Sequence, residues 1–301
     1  MKSNEGGGMM VQDILAAKKR QIDEALQTLL QTEETELSVL YESMNYSLLA
    51  GGKRIRPILF LLVLDVLGAN PQGAMTVATA IECVHTYSLI HDDLPQMDDD
   101  AYRRGRLTNH KVYGAGMATM AGDGLLTEAF HLLAAEETIP AAKRCELISV
   151  LAEAAGPSGM VGGQALDISA EGKTLSAAEL SRMDAKKTGA LLTAPADMAA
   201  ILGEADAKAR AALHDYATHL GLLFQITDDL LDATGHLETM GKAPGMDEKK
   251  HKSTYVTILG KEAAEEMAER EAAAALRALR VFGEEADALR HLAEVVWQRT
   301  K

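Results

Sequence analysis

Along nearly the whole chain, apolar positions recur at intervals of three and four, the spacing of a helical face. In VQDILAAKKRQIDEALQTLL, Val11, Ile14, Leu15, Ile22, Leu26, Leu29 and Leu30 form one stripe while Lys18, Lys19, Arg20 and Asp23 face away, which predicts a surface helix. The segments RPILFLLVLDVLGA and GAMTVATAIECVHTYSLIHDD are apolar nearly all round and belong in an interior. Pro57 and Pro71 suit first helical turns, and Gly68 suits a C-terminal cap. Loops are expected around residues 51–54, 93–107, 156–163, 171–176 and 233–252. No alternating run is long enough for a sheet, so the pattern predicts an all-α fold, a single bundle of roughly ten helices. No linker rich in Pro, Gly or Ser divides it, so residues 11–301 read as one domain behind a flexible, glycine-containing leader at 1–10.

Composition narrows the function. A formal net charge of −14 argues against nucleic acid as a partner, because phosphate backbones are held by clustered positive charge. The apolar runs stop short of the ~20 residues that span a bilayer, and the N-terminus lacks a basic-then-apolar secretory pattern. The expectation is a cytoplasmic protein without stable membrane insertion. Cys83 and Cys145 lie in apolar helical text without paired spacing and read as buried free thiols.

The chemistry is concentrated in HTYSLIHDDLPQMDDDAYRRGRLTNH, residues 85–110, where Asp92, Asp93, Asp98, Asp99 and Asp100 are followed by Arg103, Arg104 and Arg106. Carboxylates packed so closely repel one another unless water screens them or a multivalent cation binds. A second motif, DDLLD, supplies Asp228, Asp229 and Asp232. Asp228 and Asp232, four apart, lie ~40° from each other around a helix and can share a cation. Asp92 and Asp98 would diverge on an ideal helix, but Pro95 disfavours helical geometry at Leu94, so the chain can bend Asp98 back towards Asp92. Oxygen donors without His or Cys at zinc spacing favour magnesium, a metal usually completed by water and substrate phosphate. Short basic islands could meet that phosphate: Lys53, Arg54 and Arg56 in GGKRIRP, Lys186, Lys187 and Thr188 in KKTGALL, and Lys242, Lys249, Lys250 and Lys252 in GKAPGMDEKKHKSTY. Gly189 would let something approach the backbone.

Together with GMVGGQALDI and FQITDDLLDATG, these segments resemble, in order, the trans-isoprenyl diphosphate synthases, most nearly the bacterial-type farnesyl diphosphate synthases, over about residues 40–260. The resemblance implies an all-α bundle around a central cavity, a homodimer, and three magnesium ions, two on Asp92 and Asp98 and one on Asp228. It implies that Arg103, Lys187 and Lys252 hold an allylic diphosphate, that Lys53, Arg56, His85 and Arg104 hold isopentenyl diphosphate, and that Lys187, Thr188, Gln225 and Lys242 line the reacting centre. The implied reaction is head-to-tail condensation of isopentenyl diphosphate with dimethylallyl or geranyl diphosphate. Two departures stand out: Met246 replaces a common lysine, and His251 a common glycine.

Product length is expected to follow Tyr87 and Ser88, which on a helix lie ~7.5 and ~6 Å below Asp92 along the axis, where a growing tail must go. In the resembled family a bulky residue at Tyr87, with the LP insertion between the aspartates, goes with a fifteen-carbon product, so farnesyl diphosphate is expected and geranylgeranyl diphosphate is the alternative. A class I terpene cyclase needs an aromatic-lined pocket, which four Phe and one Trp make a poor match. An inactive partner subunit would have lost aspartates or arginines that this chain keeps.

Overall fold

The structure is a computed structural model that describes residues 11–234 and 253–298. The proposed leader and the lysines Lys242 and Lys252 lie outside the described residues, as do Met246 and His251.

Among the described residues twelve helices have eight residues or more. In order, these and two shorter ones are α1 (Val11–Gln27), α2 (Ser38–Leu48), α3 (Ile55–Val66), α4 (Ala74–Asp92), α5 (Asn109–Tyr113), α6 (Ala115–Ala135), α7 (Ala141–Ala155), α8 (Met160–Ala170), α9 (Ala177–Asp184), α10 (Ala190–Leu202), α11 (Ala207–Thr234), α12 (Tyr255–Leu259), α13 (Lys261–Ala278) and α14 (Asp287–Gln298). The all-α expectation holds. The two segments apolar all round are the interior helices: α3 buries nine of its twelve residues and α4 twelve of nineteen. α4 packs most extensively on α6, α11 on α13, and α10 is flanked by α3, α7 and α11. No described helix is long and apolar enough to cross a membrane.

Local signals explain the boundaries. α3 ends in a Schellman motif: Gly68, at φ 62°, donates to the Asp65 carbonyl while Ala69 donates to Leu64. α9 opens with a capping box, Ser176 accepting from the Glu179 amide and Glu179 from Ser176. Pro71 precedes its helix instead of entering it, its carbonyl accepting from Ala74.

Several expectations fail for identifiable reasons. Asp23 does not face solvent but turns to the Arg54 guanidinium, 2.9 Å away. Cys145 is exposed, because α7 buries the face carrying Leu147, Leu151, Ala154 and Ala155; Cys83 is buried as expected. Residues 160–163 belong to α8 instead of a loop. A small antiparallel ribbon, β1 (Tyr102–Arg103) against β2 (Arg106–Leu107), escaped the pattern because each strand has two residues. Its loop is Arg104–Gly105, both at positive φ (53° and 75°), the backbone of a two-residue hairpin turn.

Candidate active site

The aspartate cluster divides into anchors and candidate ligands. α4 stops at Asp92, and the chain turns through Pro95 until the Asp98 amide donates to the Asp92 carbonyl at 2.9 Å. The bend predicted from Pro95 thus brings the two candidate metal carboxylates' residues together. Asp93 is buried and gripped by Arg103 through Nε and Nη2, at 2.6 to 2.9 Å. Asp99, at φ 48°, is held by Lys111 at 3.1 Å and His110 at 3.4 Å. Asp92 lines the central cavity. Burial pushes its carboxyl up, with Lys187 and Arg103 pulling it down and Asp98 and Asp93 adding to the rise.

The GGKRIRP loop is shaped by its glycines and by Arg54. Gly51 and Gly52 take φ of 80° and 119°, and a Cβ at Gly52 would meet the Arg104 guanidinium at 2.7 Å. Arg104 in turn donates to the Gly51 carbonyl. Arg54 is no phosphate ligand: it is 3% exposed and spends its donors on Asp23, on Glu82 at 2.6 Å and on the Leu48 carbonyl at 2.8 Å. That pins the loop between α1 and α4. Arg56 Nη1 lies 3.4 Å from His85 Nε2; since a guanidinium only donates, His85 accepts there and carries its proton on Nδ1. Burial first, then Arg56, Arg104, Arg103 and Arg54, hold His85 well below the usual imidazole range. Burial also lowers Arg56 to about 10, against the pull of Glu82 and Asp228, so it stays charged near neutrality. Lys53 is exposed at the loop edge.

KKTGALL is not plain helix. Between α9 and α10, Ala185–Gly189 forms a π-helical turn, a local widening frequent at functional sites. Gly163 of α8 lets that turn come close: a Cβ there would lie 2.2 Å from the Lys187 backbone nitrogen. Gly189 does the same for α11, where a Cβ on Gly221 would lie 3.2 Å from the Gly189 Cα. Lys187 pairs with Asp167 of α8 at 2.6 Å. Thr188 donates to Gln225 at 3.1 Å, Gln225 donates to Asp229 at 3.0 Å, and Asp229 accepts the Tyr255 amide at 2.8 Å. Within α11, Asp228 is half-buried and Asp232 buried.

These elements enclose a cavity of about 500 Å³ whose wall includes Arg56, His85, Tyr87, Ser88, Asp92, Lys187 and Thr188. Asp98, Arg103, Arg104, Gln225 and Asp228 do not form its wall but join it through the contacts above, Asp228 through its field on Arg56, while Lys53 lies outside the wall on the exposed loop edge. Among the described residues no three His, Cys, Asp or Glu side chains close a coordination shell alone. Hard oxygen donors at Asp92, Asp98 and Asp228 still fit magnesium, which commonly takes one or two carboxylates and fills its octahedron with water and phosphate. Glu82 and Asp167, the partners of Arg54 and Lys187, were missed as individual residues. Glu82, a lone charge in the apolar text of α4, was the one legible signal.

The polyprenyl synthetase family model matches residues 37–294. The chain is 46% identical over 293 residues to the farnesyl diphosphate synthase of Geobacillus stearothermophilus, covering 97% of this chain and 98% of that one. Among solved structures, an FPP/GFPP synthase from Zymomonas mobilis superposes with a TM-score of 0.87 at 37% identity, over 95% of this chain and 98% of that one. A geranyltransferase from Helicobacter pylori, complexed with magnesium and isoprenyl diphosphate, gives 0.85 at 30% identity, over 98% of both chains. A fold, a cavity and two aspartate motifs that agree with such matches over almost the full length lead to one conclusion: the chain belongs to the polyprenyl synthetase family.

Proposed function

We propose that the protein condenses isopentenyl diphosphate head-to-tail with dimethylallyl and geranyl diphosphate, releasing diphosphate and giving farnesyl diphosphate. The observation that carries this reading is the joining, at one cavity, of the fold-back that brings Asp98 to Asp92, the Arg56–His85 pair and the Lys187–Thr188 turn. The Helicobacter pylori relative complexed with magnesium and isoprenyl diphosphate supports the metal and the substrate class.

Asp92, Asp98 and Asp228 would hold magnesium, three ions in this reading, and magnesium supplies Lewis-acid charge that eases departure of the allylic diphosphate. Lys187 and Arg103 would neutralise charge building on that group as the allylic C–O bond ionises. For Lys187 this means leaving Asp167, and for Arg103 sharing donors with Asp93. On the opposite side Arg56, Lys53 and Arg104 would hold the diphosphate of isopentenyl diphosphate, with His85 presenting its Nδ1 proton. Thr188 and Gln225 would present oxygen dipoles to the allylic carbocation, in a cavity that keeps water away. The isopentenyl double bond attacks that cation, and the released diphosphate takes the final proton. Tyr87 and Ser88 would meet the tail. Lys242 and Lys252 complete the proposed set.

The same reading takes residues 11–301 as a single domain and the enzyme as a cytoplasmic homodimer. Val112 of α5 and Met120 of α6, 45% and 50% exposed, are apolar side chains that a second copy would cover. Light scattering should give twice the monomer mass. For the reaction, purified protein is incubated with isopentenyl and geranyl diphosphates and magnesium. A fifteen-carbon linear diphosphate is expected. A cyclic hydrocarbon or no product would overturn the reading.

A further inference from the structure

His91, the residue before the first candidate metal ligand, has no part in the chemistry above, yet its ring is closely fitted against α6. A Cβ added to Gly122 on α6 would meet its Nε2 at 2.1 Å and its Cδ2 at 2.3 Å. The ring therefore occupies the gap where α6 lacks a side chain. Nε2 lies 3.1 Å from the Thr119 carbonyl, which can only accept, so this nitrogen carries the proton. Asp123 stands 3.7 Å from the same atom. On its other side the ring meets Tyr87 edge to face, centroids 5.6 Å apart and planes at 89°. His91, Tyr87 and Thr119 all line the cavity.

The direction of the side chain gives this arrangement its meaning. Helical side chains lean towards the N-terminus, so the His91 ring covers the turn below its own Cα, the level of Tyr87 and Ser88, and not the level of Asp92. In the prenyl-transfer reading that is the level of the hydrocarbon tail rather than of the diphosphate. Three contacts fix it: the Thr119 carbonyl, the Tyr87 edge and the bare backbone at Gly122. Tyr87 in turn packs its ring against His91. We propose that His91, seated in the gap at Gly122, is a specificity-determining wall of the tail cavity, and that Gly122 sets how far the ring projects into the space for the growing chain. The inference rests on the prenyl-transfer reading and goes beyond Tyr87: the wall is a two-helix device, half of it a missing side chain on α6.

The two halves respond in opposite directions. His91→Ala empties the gap and frees Tyr87, so elongation runs further. Gly122→Ala pushes the ring out of its gap and into the tail space, so elongation stops sooner. In the double variant there is no ring to push, and Gly122→Ala loses its effect. The full-length enzyme is incubated with dimethylallyl and isopentenyl diphosphates and magnesium, and the chain lengths of the products are separated after dephosphorylation. We expect the ratio of twenty- to fifteen-carbon product to rise about tenfold in His91→Ala, equivalent to ~1.4 kcal/mol of relieved overpacking. The ratio of ten- to fifteen-carbon product should rise comparably in Gly122→Ala and return to the His91→Ala pattern in the double variant. His91→Asn, which keeps a donor for Thr119 without the ring, should lengthen product as His91→Ala does and serves if the alanine variant fails to fold. Unchanged distributions, shifts of the same sign, or a Gly122→Ala effect that persists without the ring would overturn the proposal. Wild-type enzyme in the same assay separates this from the parent reading: if it makes no linear prenyl diphosphate, that reading fails; if it does and the variants do not diverge, only the His91 wall fails.

Discussion

Replacing Gly163 by alanine should cripple the proposed allylic half of the site without replacing any proposed ligand. The added Cβ would lie 2.2 Å from the Lys187 amide nitrogen and 2.5 Å from its Cα, whereas ordinary contact begins near 3.4 Å. Both neighbours are backbone, so no side-chain tip can swing away. Either α8 or the π-helical turn must retreat by about 1 Å, carrying Lys187 and Thr188 away from the cavity. Misplacement on that scale costs about 10²-fold in rate when it falls on groups that position reactants. The overpacking itself should cost ~1–3 kcal/mol of stability, a loss of several degrees in melting temperature. Steady-state kinetics with each substrate varied in turn, beside a thermal melt, gives the assay. The expected outcome is a kcat lowered about a hundredfold, a KM for isopentenyl diphosphate within about threefold of wild type because the Arg56–His85 side is untouched, and a cooperative melt. A kcat within twofold of wild type, with melting lowered as forecast, would refute the claim that the close approach of α8 positions Lys187.

Three further outcomes are expected. Arg56→Ala should raise the KM for isopentenyl diphosphate about tenfold more than that for geranyl diphosphate, and equal effects would show the half-sites to be misassigned. Tyr87→Ala should shift product towards twenty carbons with the first condensation still active, read from product chain lengths. Asp184 is buried and held up to about 7 from 3.8, by burial above all, so the folded protein keeps a proton there that the unfolded chain gives up near pH 4. Stability from this group is therefore present at acid pH and lost as pH rises from about 4 to 7; the melting-temperature gain of Asp184→Asn over wild type should grow across that window and be absent below it.

The helical architecture was legible because a period near 3.6 survives in almost every segment and because α3 and α4, apolar on all sides, could only be interior. The fold-back of the first aspartate loop was legible because Pro95 has a single steric consequence. What stayed hidden depends on contacts between distant segments. Nothing near Arg54 says that Asp23 and Glu82 will claim it, so three basic residues in one motif looked equivalent when one of them is a buried strut. The π-helical turn at Ala185–Gly189 was hidden too, since a single turn of five residues is too short to show a period of its own in the apolar pattern. Glycines announced close approaches without naming the visitor: Gly163 receives the Lys187 backbone, and Gly122 receives the His91 ring.

The central claim is that two aspartate motifs far apart in sequence serve one metal-dependent prenyl transfer. It is tested most directly by measuring farnesyl diphosphate formation from isopentenyl and geranyl diphosphates for wild type, Asp92→Ala and Asp228→Ala across a magnesium titration, with a chelator as the zero point. The account predicts product that disappears with the chelator, and losses of at least ~10²-fold in each variant at saturating magnesium, the scale of removing one transition-state electrostatic contact. Turnover near the wild-type rate in either variant, or turnover that survives the chelator, would contradict it.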